Sequence, residues 1–309
     1  MHQTTIMQRV HCTGVGLHKG KKVKLTMRPA AEDTGIVFHV ATAFGKRDIR
    51  PGADSVVDTG LATTLGKDGA TVSTVEHLLA ALRGLQIDNL HIDVEGDEIP
   101  ILDGSAAPFV MLLSEAGIRA QIAPRKVLRI KKETRFCRDG KLIKAEPYNG
   151  FFVDCTVDFP HPAIGMQRMS LDVTPRSFSQ VAKARTFGFL RDVEMLKSRG
   201  LALGGSLDNA VVLDERGVVN EGGLRYPDEF VRHKLLDFIG DMAMLPLPLQ
   251  GKFTIERSGH AFNNEFLRHV SSAGALYLDT VTLGEERTSA PPRAAHRPVE
   301  GLPAPAFAG

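Results

Sequence analysis

The sequence contains few cysteines, and none of them is paired at a metal-binding spacing. Its three cysteines, Cys12, Cys137 and Cys155, are odd in number and lie far apart along the chain. Neither a disulfide framework nor a zinc site built from thiolates is therefore indicated. A reducing compartment suits such a set of cysteines best.

Long apolar runs are also missing. Residues 1–20 lack an apolar core of the length that a signal peptide has. No apolar run approaches the ~20 residues that span a bilayer. We therefore expect a cytoplasmic protein with no stable membrane insertion, an expectation that still allows transient contact with the inner membrane.

Neither sign of charge is in excess. The 38 basic and 36 acidic residues leave a formal net charge of +2, whereas a general nucleic-acid-binding protein has a strong basic excess. The hydrophobic fraction of 43% and the length of 309 residues are typical of a globular protein with room for two domains. We expect no nucleic-acid partner and no obligate protein partner, although a local site for an anionic ligand is compatible with this composition.

The first part of the chain predicts strands followed by a helix. Polar and apolar residues alternate over 22–28, which predicts a half-buried strand, and a second strand is predicted over 36–40. A short helix is predicted from Ser73 as N-cap to Gly84 as C-terminal cap, with Glu76 completing a capping box. The next predicted elements are a strand and a helix, 87–94 and 107–116, the helix closed by Gly117.

A similar order of elements begins again after the segment 123–125. The sequence predicts strands over 127–131, 141–146, 151–158, 168–173 and 252–256, a loop over 200–206, and helices over 178–184, from Asp228 to Pro246 and from near Asn263. We therefore predict an α+β fold with two similar domains, 1–124 and 125–284. Residues 285–309 hold five prolines and little periodicity, so we expect this tail to be disordered.

The long helix carries a candidate metal-binding pair. His233 and Asp237 are four residues apart and project from one face, so they could hold two corners of a zinc tetrahedron. Asp241 lies one turn further along the same face. The opposite face is the core stripe of Val231, Leu235, Phe238, Ile239 and Met242. The alternative interpretation is that the histidine and the two aspartates form a solvated face.

A catalytic zinc site needs a third protein ligand, for which His77 is the best candidate. Glu76 precedes it, and a carboxylate beside a ligand can act as a general base. The alternative is a capping role for Glu76 and an ordinary first-turn histidine. His260 lies in a predicted loop after a strand, where a histidine can also be structural. Lys234 offers a positive charge to a developing oxyanion, or it is a surface lysine.

Seven long segments resemble one known family, and they occur in the right order between Thr5 and about Thr282. They are GVGLHKG at 14–20, STVEHLLAAL at 73–82, IPILDGSAAPF at 99–109, ARTFGFLRD at 184–192, GLALGGSLDNAVV at 200–212, FVRHKLLDFIGD at 230–241 and SGHAFNNEF at 258–266. The chain resembles the UDP-3-O-acyl-N-acetylglucosamine deacetylases, the zinc enzymes that catalyse the committed step of lipid A biosynthesis in Gram-negative bacteria. Such an enzyme gives UDP-3-O-acyl-glucosamine and acetate.

The resemblance implies a role for each candidate residue. Zinc, for which iron(II) is a possible substitute, is held by His77, His233 and Asp237. Glu76 is the general base, and His260 donates a proton to the leaving amine and helps to hold the oxyanion. The resemblance also implies that Asp241 orients His260. It assigns the stabilisation of the oxyanion to Lys234 and Thr186.

The implied substrate is an acylated UDP-sugar, and it requires an apolar passage beside the zinc. The resemblance places Phe187 against the substrate. The apolar and small residues that would line the passage are Leu190, Leu201, Gly205 and Ser206, which could equally form the core of an insertion. Arg257 and Lys141 occupy positions similar to basic ones in the family and are the candidates for the diphosphate.

The implied fold has two domains, each a small β-sheet packed on helices, with the helices sandwiched between the sheets. The chain departs from the family in its Pro/Ala-rich tail and at segment 61–64, where some relatives carry a cysteine. Two other interpretations stay open. One is a zinc amidohydrolase for another substrate class, and the other is a binding protein whose histidines lie on solvated faces.

Overall fold

The computed structural model describes residues 1–43 and 45–284. The predicted disorder of residues 285–309 lies outside the described residues. Within this range the α-helices are α1 (Glu76–Gly84), α2 (Ala107–Glu115), α3 (Ser179–Ala182), α4 (Leu190–Ser198), α5 (Glu229–Met242) and α6 (His260–Ser272). No helix of the described part is long and apolar enough to cross a membrane.

The strands are distributed over the whole described chain. In the first part they are β1 (His2–Ile6), β2 (Val10–Val15), β3 (Lys22–Pro29), β4 (Ile36–Thr42), β5 (Gly45–Ile49), β6 (Val56–Asp58), β7 (Thr64–Lys67), β8 (Ala70–Val72), β9 (Leu90–Glu95) and β10 (Ile118–Pro124). In the second they are β11 (Lys126–Ile130), β12 (Thr134–Arg138), β13 (Lys141–Glu146), β14 (Phe151–Phe159), β15 (Gly165–Asp172), β16 (Phe187–Phe189), β17 (Val211–Leu213), β18 (Leu249–Glu256) and β19 (Leu278–Thr282).

Two main sheets organise these strands. The first has the order β2-β3-β9-β4-β5, and β3 buries Val23, Leu25 and Met27 on one face, as its alternating sequence predicts. In the second, β18 pairs with β13, β11 and β14, and the sheet continues to β12, β19 and β15. Strands and helices are thus mixed as the sequence indicated, and the predicted α+β class is confirmed.

The two helices that carry the candidate residues are buried on nearly all sides. Eight of the nine residues of α1 and 12 of the 14 residues of α5 are buried, as expected for helices enclosed by other elements. The helices touch backbone to backbone, because a Cβ added at Gly240 would lie 2.0 Å from the carbonyl oxygen of Glu76. This close approach places the start of α1 beside the ligand face of α5.

The predicted caps of α1 are wrong. The helix begins at Glu76 after Val75, which has no side-chain cap. The Ser73 hydroxyl instead accepts a hydrogen bond from Thr64, and the Glu76 carboxylate accepts one from the backbone of Thr63. At the other end, Gly84 is the last helical residue and leaves room for the ring of Phe178. Tertiary contacts therefore use these residues in place of local capping.

Other boundaries also differ from the sequence-based prediction. Helix α6 begins at His260, so this histidine is a first-turn residue and not a loop residue, and the predicted start near Asn263 is late. Helix α4 was not predicted, because the sequence analysis assigned its apolar residues to a substrate passage; none of its residues is buried. The division at residues 124/125 stays a prediction, although β10 ends at Pro124 and β11 begins at Lys126.

Candidate metal centre

Three metal-binding side chains converge where α1 meets α5. His77, His233 and Asp237 are all buried, and one donor atom from each lies within 4.8 Å of the other two. The Asp237 Oδ1 atom lies 3.5 Å from His77 Nε2 and 3.3 Å from His233 Nε2. The solvated-face interpretation of His233, Asp237 and Asp241 is therefore wrong, since all three are at most 3% exposed.

Hydrogen bonds fix the outer atoms of His233 and Asp237 and leave the Oδ1 atom of Asp237 without a partner among the described residues. His233 Nδ1 lies 3.1 Å from the carbonyl oxygen of Ala184, so the N–H donates there and the Nε2 lone pair faces Asp237. Lys234 donates to Asp237 Oδ2 at 2.8 Å. In the described part of the chain, buried Asp237 Oδ1 has no hydrogen-bond partner, which is costly unless a cation is bound.

The protonation states suit a metal as well. Burial lowers the pKa of His233 to about 4, so its imidazole is neutral, as a metal ligand must be. Burial opposes ionisation of Asp237, but the positive charges of Lys234 and His260 hold the pKa of its carboxyl well below the ordinary value. Two imidazoles and one carboxylate fit a divalent ion with an open coordination position.

A carboxylate and an imidazole flank the three donors. Glu76 Oε1 lies 3.9 Å from His260 Nε2, which is also 3.9 Å from Asp237 Oδ2. Glu76 Oε2 accepts the backbone N–H of Thr63 at 3.1 Å. Burial raises the pKa of Glu76. A carboxylate that can act as a base and an imidazole that can act as an acid thus lie beside the three candidate metal donors.

Asp241 anchors His260 from behind. Its Oδ2 atom lies 2.8 Å from His260 Nδ1 and accepts from Asn263 at 2.7 Å, while Oδ1 accepts the Thr63 hydroxyl at 2.7 Å. Burial lowers the pKa of His260, but Asp241, Glu76 and Asp237 outweigh it and raise the pKa to about 9. Asp241 therefore holds an imidazolium whose Nε2–H points at the metal donors.

The positive charge on His260 predicts that the stability of the metal-free protein depends on pH. We expect the ring of His260 to titrate near pH 9, and Asp241→Asn to lower that pKa. A pKa raised on folding stabilises the folded state fully below the unfolded value of about 6.5. The contribution is lost as the pH rises through about 9. NMR titration of the histidine ring signals measures this pKa directly, and a value at or below 6.5 would contradict it.

A cavity of about 380 Å³ opens beside the donors, and several predicted substrate residues line it. Thr186, Phe187, Lys234 and Lys141 are among its walls. Phe187 packs edge-on against His233. The position of Thr186 is fixed by its backbone, which donates to Gly104 and accepts from Val211, both at 2.8 Å.

Five predicted substrate residues do not line this cavity: Leu190, Leu201, Gly205, Ser206 and Arg257. Leu190 is 48% exposed on α4. Gly205 lies behind the cavity wall, because its ideal Cβ would be 3.6 Å from Leu17 Cδ1. Arg257 is paired with Asp158 at 2.6 Å on the surface.

The sequence-based reasoning missed His18 as a site residue. It lines the cavity, and in the described residues neither of its buried ring nitrogens has a hydrogen-bond partner. The backbone N–H of His18 donates to Glu98 at 2.8 Å. Glycine is required at position 16, because a Cβ there would clash with the Glu98 carboxylate. His18 lies in the segment GVGLHKG, which was noted for its family resemblance. The residues around His18 match no sequence pattern of a metal ligand or of an acid–base pair.

Known proteins similar to this chain share one family description. The sequence profile of the family described as UDP-3-O-acyl N-acetylglycosamine deacetylase matches residues 3–272. A protein of Nitratidesulfovibrio vulgaris named UDP-3-O-acyl-N-acetylglucosamine deacetylase is 60% identical over 306 residues, 98% of this chain and 99% of the relative. Proteins with the same name from Oleidesulfovibrio alaskensis and Lawsonia intracellularis are 62% and 54% identical, covering 92% and 93% of this chain and 94% of each relative.

Proposed function

The chain belongs to the UDP-3-O-acyl-N-acetylglucosamine deacetylase family, and from this premise we propose that it is a zinc-dependent hydrolase of that substrate. It removes the N-acetyl group and gives UDP-3-O-acyl-glucosamine and acetate, the committed step of lipid A biosynthesis. The observation that carries the proposal is the unpartnered Asp237 Oδ1 between the Nε2 atoms of His77 and His233.

The metal assignment follows from the donor set. Two imidazoles and a carboxylate suit zinc, and the same set also suits iron(II). When bound, zinc supplies Lewis-acid polarisation of the amide carbonyl and activation of water. Metal analysis after dialysis tests the assignment, because a binding protein without a metal centre would retain no stoichiometric zinc.

Glu76 and His260 divide the proton transfers. Glu76 takes a proton from the attacking water, and its raised pKa makes it a better base near neutral pH. As the carbon–nitrogen bond breaks, His260 gives the proton on Nε2 to the departing amine nitrogen. Asp241 keeps that imidazolium charged and oriented through the 2.8 Å contact with Nδ1.

Lys234 and Thr186 stabilise the oxyanion of the tetrahedral intermediate. Burial lowers the pKa of Lys234, but Asp237 outweighs this and raises it, so the ammonium stays charged in the cavity wall. Thr186, immediately before β16, lines the same cavity. Fixed donors of this kind act at low dielectric, where they stabilise developing charge strongly.

The acyl chain leaves the cavity past Phe187 towards segment 190–206. This segment docks through its backbone, since Leu203 and Gly204 donate to the carbonyl oxygens of His18 and Leu17 at 2.9 and 3.0 Å. Leu190 and Leu203 are about half exposed. The passage therefore has one wall from segment 190–206 and one from the turn that carries Leu17 and His18.

Gly205→Leu tests this path. A leucine there would push Leu17 into the cavity and displace two or three methylenes of the acyl chain. At roughly 0.8 kcal/mol for each buried CH₂, KM for the acylated substrate should rise about 15- to 60-fold. Zinc content and the slow turnover of a substrate lacking the acyl group should stay unchanged. Gly222→Leu is the matched control, because nothing lies within 4 Å of its ideal Cβ.

The outcomes of that comparison separate three cases. A selective loss on the acylated substrate supports the path. An equal loss on both substrates would mean that the fold or the metal centre is damaged. No loss on either would place the acyl chain elsewhere on the protein.

Lys141 and Arg257 bind the diphosphate. Lys141 lines the cavity, whereas Arg257 must exchange its partner Asp158 for the phosphate. That exchange costs little, because both members of the pair are exposed and such surface ion pairs contribute about 0–1 kcal/mol. The protein acts in the cytoplasm, which is supported by its three free cysteines.

The activity itself is tested by acetate release from UDP-3-O-acyl-N-acetylglucosamine. We expect release by the zinc-loaded protein, loss after chelation, and recovery when zinc is restored. Equal activity on the substrate without its acyl chain would favour an amidohydrolase of another substrate class. Chelator-insensitive release would contradict the zinc centre.

A further inference from the structure

A second cavity, of about 260 Å³, shares no lining residue with the cavity at the metal centre. It lies at the C-terminal ends of α1 and α5, where Leu82, Arg83 and Ala243 contribute to its wall. Arg83 is six residues after His77, a distance of about 9 Å along the helix at 1.5 Å per residue. The two cavities are therefore separate, although both are lined by residues of α1.

Two guanidinium groups face this second cavity from its walls. Arg125 is only 4% exposed, and its side chain donates one hydrogen bond, from Nε to Asp88 at 2.9 Å. The side chain of Arg83 donates to the carbonyl oxygen of Leu249 and lies over the ring of Phe151. Over residues 1–43 and 45–284, no carboxylate lies within ion-pair distance of Arg83. Most N–H donors of both groups thus have no acceptor.

The buried carboxylate in the same wall cannot supply the missing charge. Asp88 uses Oδ1 for Arg125 and Oδ2 for the backbone N–H of Thr4 at 3.0 Å. Arg83 and Arg125 therefore share the charge of Asp88, while the other carboxylate of the wall, Asp33, accepts a hydrogen bond from Gln3 at 2.8 Å. Partly balanced charge is costly where it is shielded from water, as it is at the buried Arg125. Burial and the neighbouring Arg125 lower the pKa of Arg83 to about 9, as expected for a cation without a sufficient counter-ion.

A purely structural role explains only part of this arrangement. Arg83 lies in the last turn of α1, where a cation offsets the helix dipole and binds free carbonyl groups. That role needs one donor to Leu249 and does not account for Arg125. Further positive charge comes from Arg50 and Lys126 at the rim, and the rest of the wall is largely apolar: Leu79, Leu82, Ile87, Leu245 and Leu247.

We propose that the second cavity is a binding site for a small amphipathic anion. Arg83 and Arg125 receive its oxyanion group, and the leucine and isoleucine side chains of the wall cover a short apolar chain. The volume lies just below the range of about 300–1,000 Å³ for sites of drug-sized ligands, so the ligand is small. Hexanoate has the required combination of a carboxylate and a short chain and is the probe.

Calorimetric titration of the zinc-loaded, full-length protein with hexanoate tests the site. Hexanol supplies the chain without the charge, and inorganic phosphate supplies the charge without the chain. We expect hexanoate to bind at least tenfold more tightly than either. Arg83→Met, which keeps the length of the apolar stem, should weaken hexanoate binding at least about tenfold, as the loss of a charged hydrogen bond does.

A tryptophan reporter locates the bound probe. The chain contains no tryptophan, so Leu247→Trp places a single one in the wall of the second cavity. Its emission should change on addition of hexanoate, and Arg83→Met in the same background should abolish the change. This readout is independent of deacetylase activity and remains interpretable even if Arg83→Met alone is less stable.

Phe187→Ala is the matched control, because that residue lines only the first cavity. Retained hexanoate binding in Phe187→Ala together with weakened binding in Arg83→Met supports the proposal. The reverse pattern would place hexanoate in the first cavity and overturn it. Equal binding of hexanoate and hexanol, or no heat and no change in tryptophan emission, would overturn it as well.

Discussion

His233→Ala is expected to retain little zinc and to release acetate at least about a hundred- to a thousandfold more slowly. The reason is that a metal ion stabilises the transition state by several kcal/mol, and 1.36 kcal/mol corresponds to a factor of ten in rate. His233 contributes one of three buried donors, so its loss leaves two protein donors for the metal and an empty space where the imidazole was. Metal content by mass spectrometry and kcat/KM should fall together.

Two further variants make this result specific. Asp237→Asn keeps the shape and an acceptor for Lys234 but removes the charge, so it should also lower zinc occupancy. His39→Ala is the matched control, since His39 is likewise paired with a carboxylate, Asp48 at 2.6 Å, but lies outside the cavity at the metal centre. A His233→Ala protein with full zinc content and full activity would end the metal assignment.

The candidate metal-binding pair on α5 was predictable because it depends on the spacing of two residues within one helix. Residues four apart on a helix share a face, and His233 and Asp237 lie in the middle of a helix with clear boundaries. The sequence alone could not decide between a metal pair and a solvated face. That decision depends on the packing of α1 against Gly240, which encloses the face and brings His77 to within 3.5 Å of Asp237.

The caps of α1 and the contacts between Glu76, Asp241 and His260 were harder to predict, because they depend on residues far apart in the sequence. Ser73 and Glu76 match a capping box, yet long-range partners take both side chains. Thr63 connects Glu76 with Asp241, because its N–H donates to Glu76 and its hydroxyl donates to Asp241, 178 residues away. No spacing rule relates these positions. The sequence analysis named His77 as a third ligand for His233 and Asp237, but only the family resemblance implied that Asp241 orients His260.

Glu76→Gln is expected to retain zinc and to lower turnover about a hundred- to ten-thousandfold, the usual contribution of a general base. Glutamine keeps a carbonyl oxygen for the Thr63 N–H and fills the same buried space, but it cannot take a proton from water. Because Glu76 is not part of a capping box, the loss should not come from a weaker helix. Thermal unfolding of the variant should therefore stay close to that of the unaltered protein.

The pH–rate profile separates the base from its partner. In the unaltered protein we expect a bell shape, with an acid limb from Glu76 and a basic limb from His260. Glu76→Gln should lose the acid limb and keep the basic one, and His260→Ala should show the opposite. Glu95→Gln is the matched control, because that carboxylate is exposed, pairs with Lys24 and does not line the cavity at the metal centre. If both limbs persisted in both variants, the proton transfers would belong to other groups, and His18, with its unpartnered ring nitrogens in the same cavity, would be the first to test.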